Sequence, residues 1–354
     1  MSKAQEETRI CPHCGQALAE NVHGMRRREA RRVPLALLAI AVLLAGVVAW
    51  GVYAWDGELP SRARGSEPAG AGEQVGPEAE QAQDQVSAGP PAASDGLSLA
   101  EQVQPPGGYP LPASYGNLGP ELVQAGAIDY DRFAQLYLQR GQPLTSLQVG
   151  ILKEGSDSQV VIDPENAHFL LNLFWAVGLT NQNPILVEGP MMQRGREGVG
   201  SFASTGGWTL GSRQATELYS SVPLIQLTEG QQARVEEVAN AIYRPCCGNH
   251  TAFPDCNHGM AMLGLLQLMA TDGASVDEMF QAAKYVNGFW YPQQTLEVAL
   301  YYQATEGASF ADLDARQAFG AESFSAAGFG RLHQWLAQNN LLKQAPSQGG
   351  SCGV

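Results

Sequence analysis

The sequence has little positive charge for its length. Its 354 residues include 21 Lys and Arg against 35 Asp and Glu, a formal net charge of −14 at pH 7. An acidic surface repels phosphate backbones, so we expect no nucleic-acid partner for the main domain. The excess negative charge favours solubility, and attraction of cations is a second, weaker consequence.

Several signatures of nucleotide binding and catalysis are also missing. Residues 188–213 are rich in glycine but contain neither GxxxxGK[ST] nor GxGxxG, so they are predicted to form a long loop rather than a phosphate site. No HExxH or HxE pattern occurs, which argues against a zinc hydrolase. The absence of CxxCH excludes covalently attached c-type haem. These absences favour a binding protein over an enzyme and leave enzyme activity undecided.

One long apolar run is present, over residues 33–55. It carries no charged side chain and could cross about 30 Å of hydrocarbon as a helix. Positive charge stays on the cytoplasmic side, so residues 1–32 are predicted to be cytoplasmic and the main domain extracytoplasmic, on a single-pass anchor in the cytoplasmic membrane. A signal peptide cut after Ala54 is the alternative, although its charged region would be unusually long. The flanking residues are Arg26, Arg27, Arg28, Arg31 and Arg32 before the run, and Trp50, Tyr53 and Trp55 at its far end.

Three regions follow the apolar run. Residues 56–108 are rich in Gly, Pro, Ala, Gln and Glu and hold few large apolar side chains, which predicts a disordered linker. Residues 109–345 are numerous enough to bury the core of one globular domain. Residues 346–354 form a short tail of mainly small residues that contains Cys352.

Helix signals dominate residues 109–345, so the predicted fold class is mainly α with at most a small β-hairpin. Strand candidates are restricted to residues 159–162 and 222–227. No internal repeat is visible. The helix signals are the cap Asp129 before Phe133 and Tyr137, the pair Asp163-Pro164 before a helix ending at Gly178, the capping boxes Thr228/Gln231 and Ser275/Glu278, Pro292 before Leu296, and the apolar run Leu332, Trp335 and Leu336.

The most informative segment is residues 246–258, which hold three of the six cysteines and two of the six histidines. Zinc and Cu(I) prefer thiolate and imidazole ligands, so a metal site is predicted in this segment. The spacing CC-x2-H-x5-C-x-H matches no zinc-finger, c-haem or deaminase pattern, so the evidence is the clustering alone. The predicted ligands are Cys246, Cys247, His250, Cys256 and His258.

Two other uses of these thiols remain open. The first is thiol–disulfide chemistry, in which Cys256 could pair with Cys246, Cys247 or Cys352 outside the membrane, where disulfides persist. The second is a disulfide that only staples the loop. Cys256 directly precedes a predicted helix, where the positive end of the helix dipole is expected to lower its pKa. Cys352 is a candidate extra ligand, resolving cysteine or metal-exchange arm, or half of a structural disulfide.

The choice of metal follows the donor set. Thiolate with imidazole suits zinc first, and Cu(I) second, because the thioethers of Met260, Met262 and Met269 lie close in sequence. Methionines at this helical spacing are equally typical of a core. Asp255 is a candidate general base for a metal-bound water, or a turn residue. His168 and His333 are predicted to be ordinary packed or half-exposed side chains.

A second metal-site candidate lies in the first 32 residues. Cys11-Pro12-His13-Cys14-Gly15 resembles the CPxCG knuckle of a zinc ribbon, a half-site found at the start of many bacterial membrane proteins. The resemblance implies zinc at Cys11 and Cys14. A full ribbon needs a second CxxC, which is missing before the apolar run, so His13, His23 or a second chain would complete the site.

These observations predict a membrane-anchored extracytoplasmic protein that binds a zinc or copper ion in metal handling or sensing. The first alternative is a membrane-tethered thiol–disulfide oxidoreductase. The second is an interaction module in which a metal or a disulfide only holds the fold. A protein partner is not indicated by the sequence.

Overall fold

Helices make up most of the domain, as the sequence predicts. The computed structural model describes residues 97–342. The predictions for residues 1–32, for the apolar run 33–55 and for the tail 346–354 therefore lie outside the described residues. Within 97–342, no helix is both long enough and apolar enough to span a membrane.

The first half of the domain contains both strands. Its elements are α1 (Leu99–Val103), β1 (Tyr109–Gly116), α2 (Leu118–Gln124), α3 (Tyr130–Gln139), α4 (Ser146–Lys153), β2 (Ser156–Ile162), α5 (Ala167–Thr180) and α6 (Pro184–Glu188).

Short helical turns precede the long helices of the second half. The short ones are the 3-10 helix Pro190–Arg194, α7 (Gly195–Gly198), the 3-10 helix Val199–Ser201, α8 (Ala203–Gly206) and α9 (Ala215–Leu218). The remaining elements are α10 (Glu229–Ala241), α11 (Asn257–Thr271), α12 (Val276–Trp290), α13 (Pro292–Glu306), α14 (Ala315–Ala318), α15 (Ala321–Phe324) and α16 (Ala326–Gln338).

The two strands form an antiparallel pair, with Tyr109 opposite Ile162 and Ser114 opposite Gln159. Three helices separate them along the chain, so the pair is not a hairpin. The second strand includes the predicted residues 159–162. The first strand was not predicted, because prolines interrupt its sequence. The prolines are tolerated because alternate residues, beginning with Tyr109 and Leu111, face the core and supply the packing.

The core is built around α5 and α11, which are buried along nearly their whole lengths. Their backbones approach closely at two glycines. A Cβ added to Gly178 would lie 2.0 Å from the Met260 carbonyl oxygen, and one added to Gly264 would lie 2.3 Å from that of Phe174. The prediction that Gly178 ends a helix is therefore wrong. It lies inside α5, where only glycine permits this helix contact.

Most predicted caps are confirmed. The Asp129 side chain accepts from the Arg132 backbone N–H, and the predicted capping boxes begin α10 and α12. The helix predicted to begin at Asp163 begins instead at Ala167. The Asp163 carboxylate binds the N–H groups of Glu165 and Asn166 in a turn that precedes the helix.

Two regions differ from their predictions. Residues 222–227 form no strand, and their backbone pairing is an isolated parallel bridge between Val222 and Asn181. Further along, the Asn181 side chain donates to the Ile225 carbonyl and accepts from the Ile225 N–H. Residues 188–213 are not a plain loop but a series of short helical turns. Their glycines allow tight reversals that a search for long periodicity does not detect.

The folded domain begins before residue 109. Helix α1 lies within residues 56–108, which the composition assigns to a linker, and the Ser98 side chain caps it. Val103 is almost fully buried, and a Cβ on Gly288 of α12 would lie 2.5 Å from its carbonyl oxygen. A short segment can therefore join the core by docking one apolar residue, which composition over a long window does not show.

Candidate metal centre

The candidate centre lies in the loop between α10 and α11. Two backbone contacts close this loop at its start, an isolated antiparallel bridge between Tyr243 and His250 and a hydrogen bond from the Thr251 N–H to the Ile242 carbonyl. Between them, Gly248 has φ of +81°, a conformation that favours glycine. The tight turn brings the two ends of the cysteine-rich segment together.

The loop brings three thiols into one group. The sulfur atoms of Cys246, Cys247 and Cys256 all lie within 4.8 Å of one another. The Sγ of Cys246 lies 3.8 Å from that of Cys247 and 3.8 Å from that of Cys256. All three cysteines are free and only partly exposed.

These separations suit a bound metal ion. Four sulfurs placed about 2.3 Å from zinc at tetrahedral angles are about 3.8 Å apart from each other. The two measured distances from Cys246 match that edge length. They are far longer than the ~2.05 Å of a disulfide bond. The group could hold a metal ion, and its geometry does not distinguish zinc from Cu(I).

A buried guanidinium organises the loop. Arg244 is 2% exposed, and its Nη2 donates to Asp255 Oδ1 at 2.7 Å and to Cys247 Sγ at 3.3 Å. It also donates to the backbone carbonyls of His250 and Phe253, each at 2.9 Å. A Cβ on Gly259 would strike this guanidinium at 2.5 Å, so the start of α11 is shaped to admit it. One buried side chain therefore makes hydrogen bonds to both arms of the loop.

Asp255 completes the charged part of the centre. Its Oδ2 accepts from Asn249 Nδ2 at 2.8 Å, and its Oδ1 lies 3.7 Å from Cys247 Sγ. Burial raises the pKa of Asp255 to about 6, although Arg244 acts in the opposite direction. Arg244 and Asn249 both donate to this carboxylate, so Asp255 helps to hold the loop together. That Asp255 acts as a general base stays a prediction.

The thiols differ in how readily they ionise. Hydrogen bonds from Cys246 and Cys256, together with the charge of Arg244, lower the pKa of Cys247 well below its ordinary value. The pKa of Cys246 is raised to about 12 because it donates to Cys247. Contacts with the two other thiols and burial raise the pKa of Cys256. The pKa of Cys256 is therefore raised rather than lowered as predicted, and the pKa that falls is that of Cys247, chiefly because the other two thiols hydrogen-bond to it.

His258 lies behind the thiols rather than among them. Its ring packs on Tyr291 at a centroid distance of 4.4 Å, and its Nδ1 lies 3.0 Å from Asn257 Oδ1. The Tyr291 hydroxyl lies 3.2 Å from Cys246 Sγ. The imidazole thus supports a tyrosine that contacts the group, and it is not one of the donors that lie within 4.8 Å of each other.

His250 is also outside that donor group. It pairs with Tyr243 in the bridge that closes the loop, and the two rings meet edge to face at 5.7 Å. Its Nδ1 is buried and makes no hydrogen bond within the described residues. Burial, assisted by the charge of Arg244, lowers the pKa of His250. Of the five ligands predicted in this loop, the structure brings together the three cysteines.

The other predicted donors contribute less. The methionines Met260, Met262 and Met269 are buried in the core on α11. His168 and His333 lie elsewhere, and His333 pairs with Glu297 at 2.6 Å. Cys11, Cys14 and Cys352 lie outside the described residues.

Sequence reasoning missed two members of the centre. Arg244 stands two residues before Cys246, and a cation so close to paired cysteines is a local signal for a stabilised thiolate. Tyr291 lies far along the chain, at the junction of α12 and α13, and no sequence signal links it to the cysteines.

Known proteins give no further guide to the centre. Comparison with protein-family models, curated protein sequences and solved structures finds no match to this chain.

Proposed function

We propose that this protein binds a zinc or copper ion through Cys246, Cys247 and Cys256 and serves in metal handling or sensing. The observation that carries the proposal is the group of three free, half-buried thiols within 4.8 Å of one another. Thiolates are soft donors that select zinc and Cu(I) over hard cations such as magnesium and calcium. The positive charge of Arg244 offsets part of the negative charge that three thiolates bring into the loop.

The proposal places this centre on the outer face of the cytoplasmic membrane. Its support is the charge pattern around residues 33–55, with five arginines before the apolar run. A second zinc ion at Cys11 and Cys14, on the cytoplasmic side, is part of the same proposal and rests on the resemblance to a zinc-ribbon knuckle.

A second candidate function is thiol–disulfide exchange. It is favoured by the 3.8 Å approach of Cys246 Sγ to Cys256 Sγ. In this reaction the two thiols give up two protons and two electrons to a substrate disulfide, which leaves as two thiols while a Cys246–Cys256 bond forms. The two candidates differ in whether the purified protein holds metal or cycles between dithiol and disulfide.

Metal content tests the proposal directly. The full-length chain carrying Cys11→Ser and Cys14→Ser would be purified in detergent, reduced, without oxygen and without a metal-affinity tag. We expect about one zinc or copper ion per chain by mass spectrometry. Adding Cys256→Ser should reduce this to a tenth or less. The matched control His333→Gln removes a histidine that lies outside the three-thiol group, so this variant should retain the ion.

The opposite result is equally clear. Protein that holds no metal after incubation with zinc or Cu(I) would refute the proposed function. If its thiols were then oxidised by a small disulfide and restored by a dithiol, the exchange reaction would replace it.

A further inference from the structure

We propose that the centre passes its metal ion to an acceptor molecule that carries a thiol, and that Cys256 is the sulfur that this acceptor replaces. The inference rests on the proposed metal site and adds the way in which the site opens. Three thiolates on one ion are chemically alike, so the groups that surround each sulfur decide which one leaves first. In this loop those groups differ from one sulfur to the next.

Metal binding removes the hydrogen bonds between the thiols. The Sγ of Cys246 lies 3.8 Å from that of Cys247 and from that of Cys256, a contact that is a hydrogen bond only while one sulfur carries a proton. Ligand thiols give up their protons when they bind a metal. In the loaded centre, each sulfur therefore keeps only the hydrogen bonds that it accepts from groups outside the trio.

Cys247 keeps a hydrogen bond from Arg244. The Nη2 of that guanidinium lies 3.3 Å from Cys247 Sγ, and the side chain is fixed by its ion pair with Asp255 and by two backbone carbonyls. A guanidinium in a protein stays charged and has donors only. This hydrogen bond therefore persists when the ion is bound.

Cys246 keeps a hydrogen bond from Tyr291. The hydroxyl lies 3.2 Å from Cys246 Sγ, and Tyr291 is 1% exposed. Its ring is held between that of His258, at a centroid distance of 4.4 Å, and that of Phe324, at 6.0 Å. Once Cys246 is a thiolate, the hydroxyl is the partner that has a proton to donate.

Cys256 has no such donor. It is the N-cap residue of α11, but its side chain accepts no hydrogen bond from the backbone of that helix. The His258 N–H binds the Asn257 side chain instead, at 2.9 Å. Within residues 97–342, the hydrogen-bonding partners of the Cys256 sulfur are the other two thiols. In the loaded centre its free lone pairs therefore distinguish it from the other two sulfurs.

This difference selects the leaving sulfur. The acceptor thiol forms a bond to the ion through its sulfur, its proton passes to the Cys256 sulfur, and the bond between the ion and Cys256 breaks. One metal–sulfur bond replaces another, and nothing is oxidised or reduced. Protonating Cys246 or Cys247 would take the acceptor away from a buried donor, which costs free energy. All three cysteines are partly exposed, so access alone does not select one.

Alkylation of the loaded protein compares the three sulfurs. The full-length chain with Cys11→Ser and Cys14→Ser would be loaded with zinc in detergent, or with Cu(I) if zinc does not bind. It would then be treated with iodoacetamide, and tandem mass spectrometry would locate the modified cysteine. This reagent attacks a sulfur lone pair, as the incoming proton does. We expect Cys256 to react at least about tenfold faster than the other two.

Tyr291→Phe tests the hydrogen bond to Cys246. The variant keeps the ring and loses the hydroxyl, so alkylation of Cys246 in the loaded protein should rise at least about tenfold while that of Cys247 stays the same. If Tyr291 only supported the fold, all three rates would change together. Tyr302→Phe is the matched control, because it also removes a buried hydroxyl, one that lies 2.7 Å from Ser323 Oγ and outside the thiol loop.

Transfer of the ion tests the acceptor. Glutathione would serve as the acceptor thiol, and a chromophoric chelator would report the ion that leaves the protein. The rate of transfer should rise in proportion to the glutathione concentration and should be higher in Tyr291→Phe than in the parent. A rate that does not depend on glutathione would show that the ion leaves by itself and would overturn the exchange.

The outcomes separate this inference from the proposed function. A loaded protein in which the three cysteines react at equal rates, or in which Cys246 or Cys247 reacts first, would overturn the inference and leave the three-thiol site standing. A parent that binds neither zinc nor Cu(I) would refute the site itself.

Discussion

Two loops of this domain are each fastened by one buried cation, and they differ in what else that cation touches. Lys284 on α12 is fully buried and donates to the carbonyls of Phe310, Ala311 and Leu313 at 2.8 to 3.2 Å. Arg244 binds two carbonyls in the same way but also contacts a carboxylate and a thiol.

The difference shows what the thiols are free to do. The lysine loop demonstrates that a buried cation and backbone carbonyls are sufficient to fix a loop. In the arginine loop the guanidinium binds backbone carbonyls in the same way, and the three thiols lie beside it as additional groups. A rigid loop that carries three free thiols is a ready donor set for a metal ion.

The electrostatics of the two cations differ accordingly. Burial lowers the pKa of Lys284 to about 8, and the charges of Asp312 and Asp314 only partly oppose this. Burial also acts to lower the pKa of Arg244, but the negative charge of the cysteines and of Asp255 outweighs it and raises that pKa. The thiol loop is therefore a paired ionic centre, whereas the hydrogen bonds that Lys284 makes all go to backbone carbonyls.

The largest effect is expected from breaking the ionic centre. Arg244→Met removes the cation that pairs with Asp255 and the donor to two carbonyls, which should lower the free energy of unfolding by about 3–5 kcal/mol. Metal content should fall with it, because both arms of the loop are released. Urea denaturation and metal analysis of the full-length chain measure both effects.

Arg244→Lys is the matched control for charge. It keeps the cation but cannot reach four acceptors at once, so an intermediate loss of stability is expected. If Arg244→Met retained both its stability and its ion, the guanidinium would not be the organiser of the loop.

A smaller effect is expected from Lys284→Met. Three buried carbonyls lose their donor, which should cost about 1–3 kcal/mol in urea denaturation. Lys284 shares no hydrogen-bond partner with the thiol loop, so zinc affinity should stay within about twofold of the parent. A large loss of affinity would show that the two loops are coupled and would remove the distinction between them.

The smallest effect concerns a buried base that stays neutral. His168 lies 3.4 Å from Asn172 Nδ2 and 3.2 Å from Arg140 Nη1, and its ring meets that of Tyr137. Burial, assisted by the charge of Arg140, lowers the pKa of His168 to about 4. The unfolded chain takes up a proton near pH 6.5, so the stability that the neutral ring contributes is present above that pH and is lost towards pH 4.

His168→Gln should therefore flatten the dependence of stability on pH. We expect the difference in unfolding free energy between pH 6.5 and pH 5 to shrink by about 1 kcal/mol. Denaturation of parent and variant at both values checks this. An unchanged slope would mean that the ring is protonated in the folded state, which would make His168 a third buried cation.

Local signals predicted much of the helical framework. The capping boxes at Thr228 and Ser275 begin helices because each depends on hydrogen bonds within three residues. The prediction that a helix ends at Gly178 was wrong. A glycine is required there because the backbone at Met260, far along the chain, packs directly against it. Likewise, residues 222–227 have the composition of a strand, but they pair through one isolated bridge at Val222 and through the side chain of Asn181.

The candidate site divides in the same way. The clustering of Cys246, Cys247 and Cys256 over eleven positions was visible in the sequence, because a loop cannot carry them far apart. The sequence did not show that the imidazoles lie apart from the thiols. Whether a histidine faces the sulfurs or packs behind them depends on which distant side chain fills the remaining space, and here that side chain is Tyr291.

By itself, the sequence determined the helical class, most helix starts and the presence of a soft donor cluster, because these follow from contacts between near neighbours. Only the tertiary structure decided which donors meet, which thiol has its pKa lowered and where Arg244 lies. Those outcomes depend on burial and on the folding of one loop, which brings Arg244, Asp255 and the cysteines together. Burial and long-range contact are properties of the packed chain, and no local pattern encodes them.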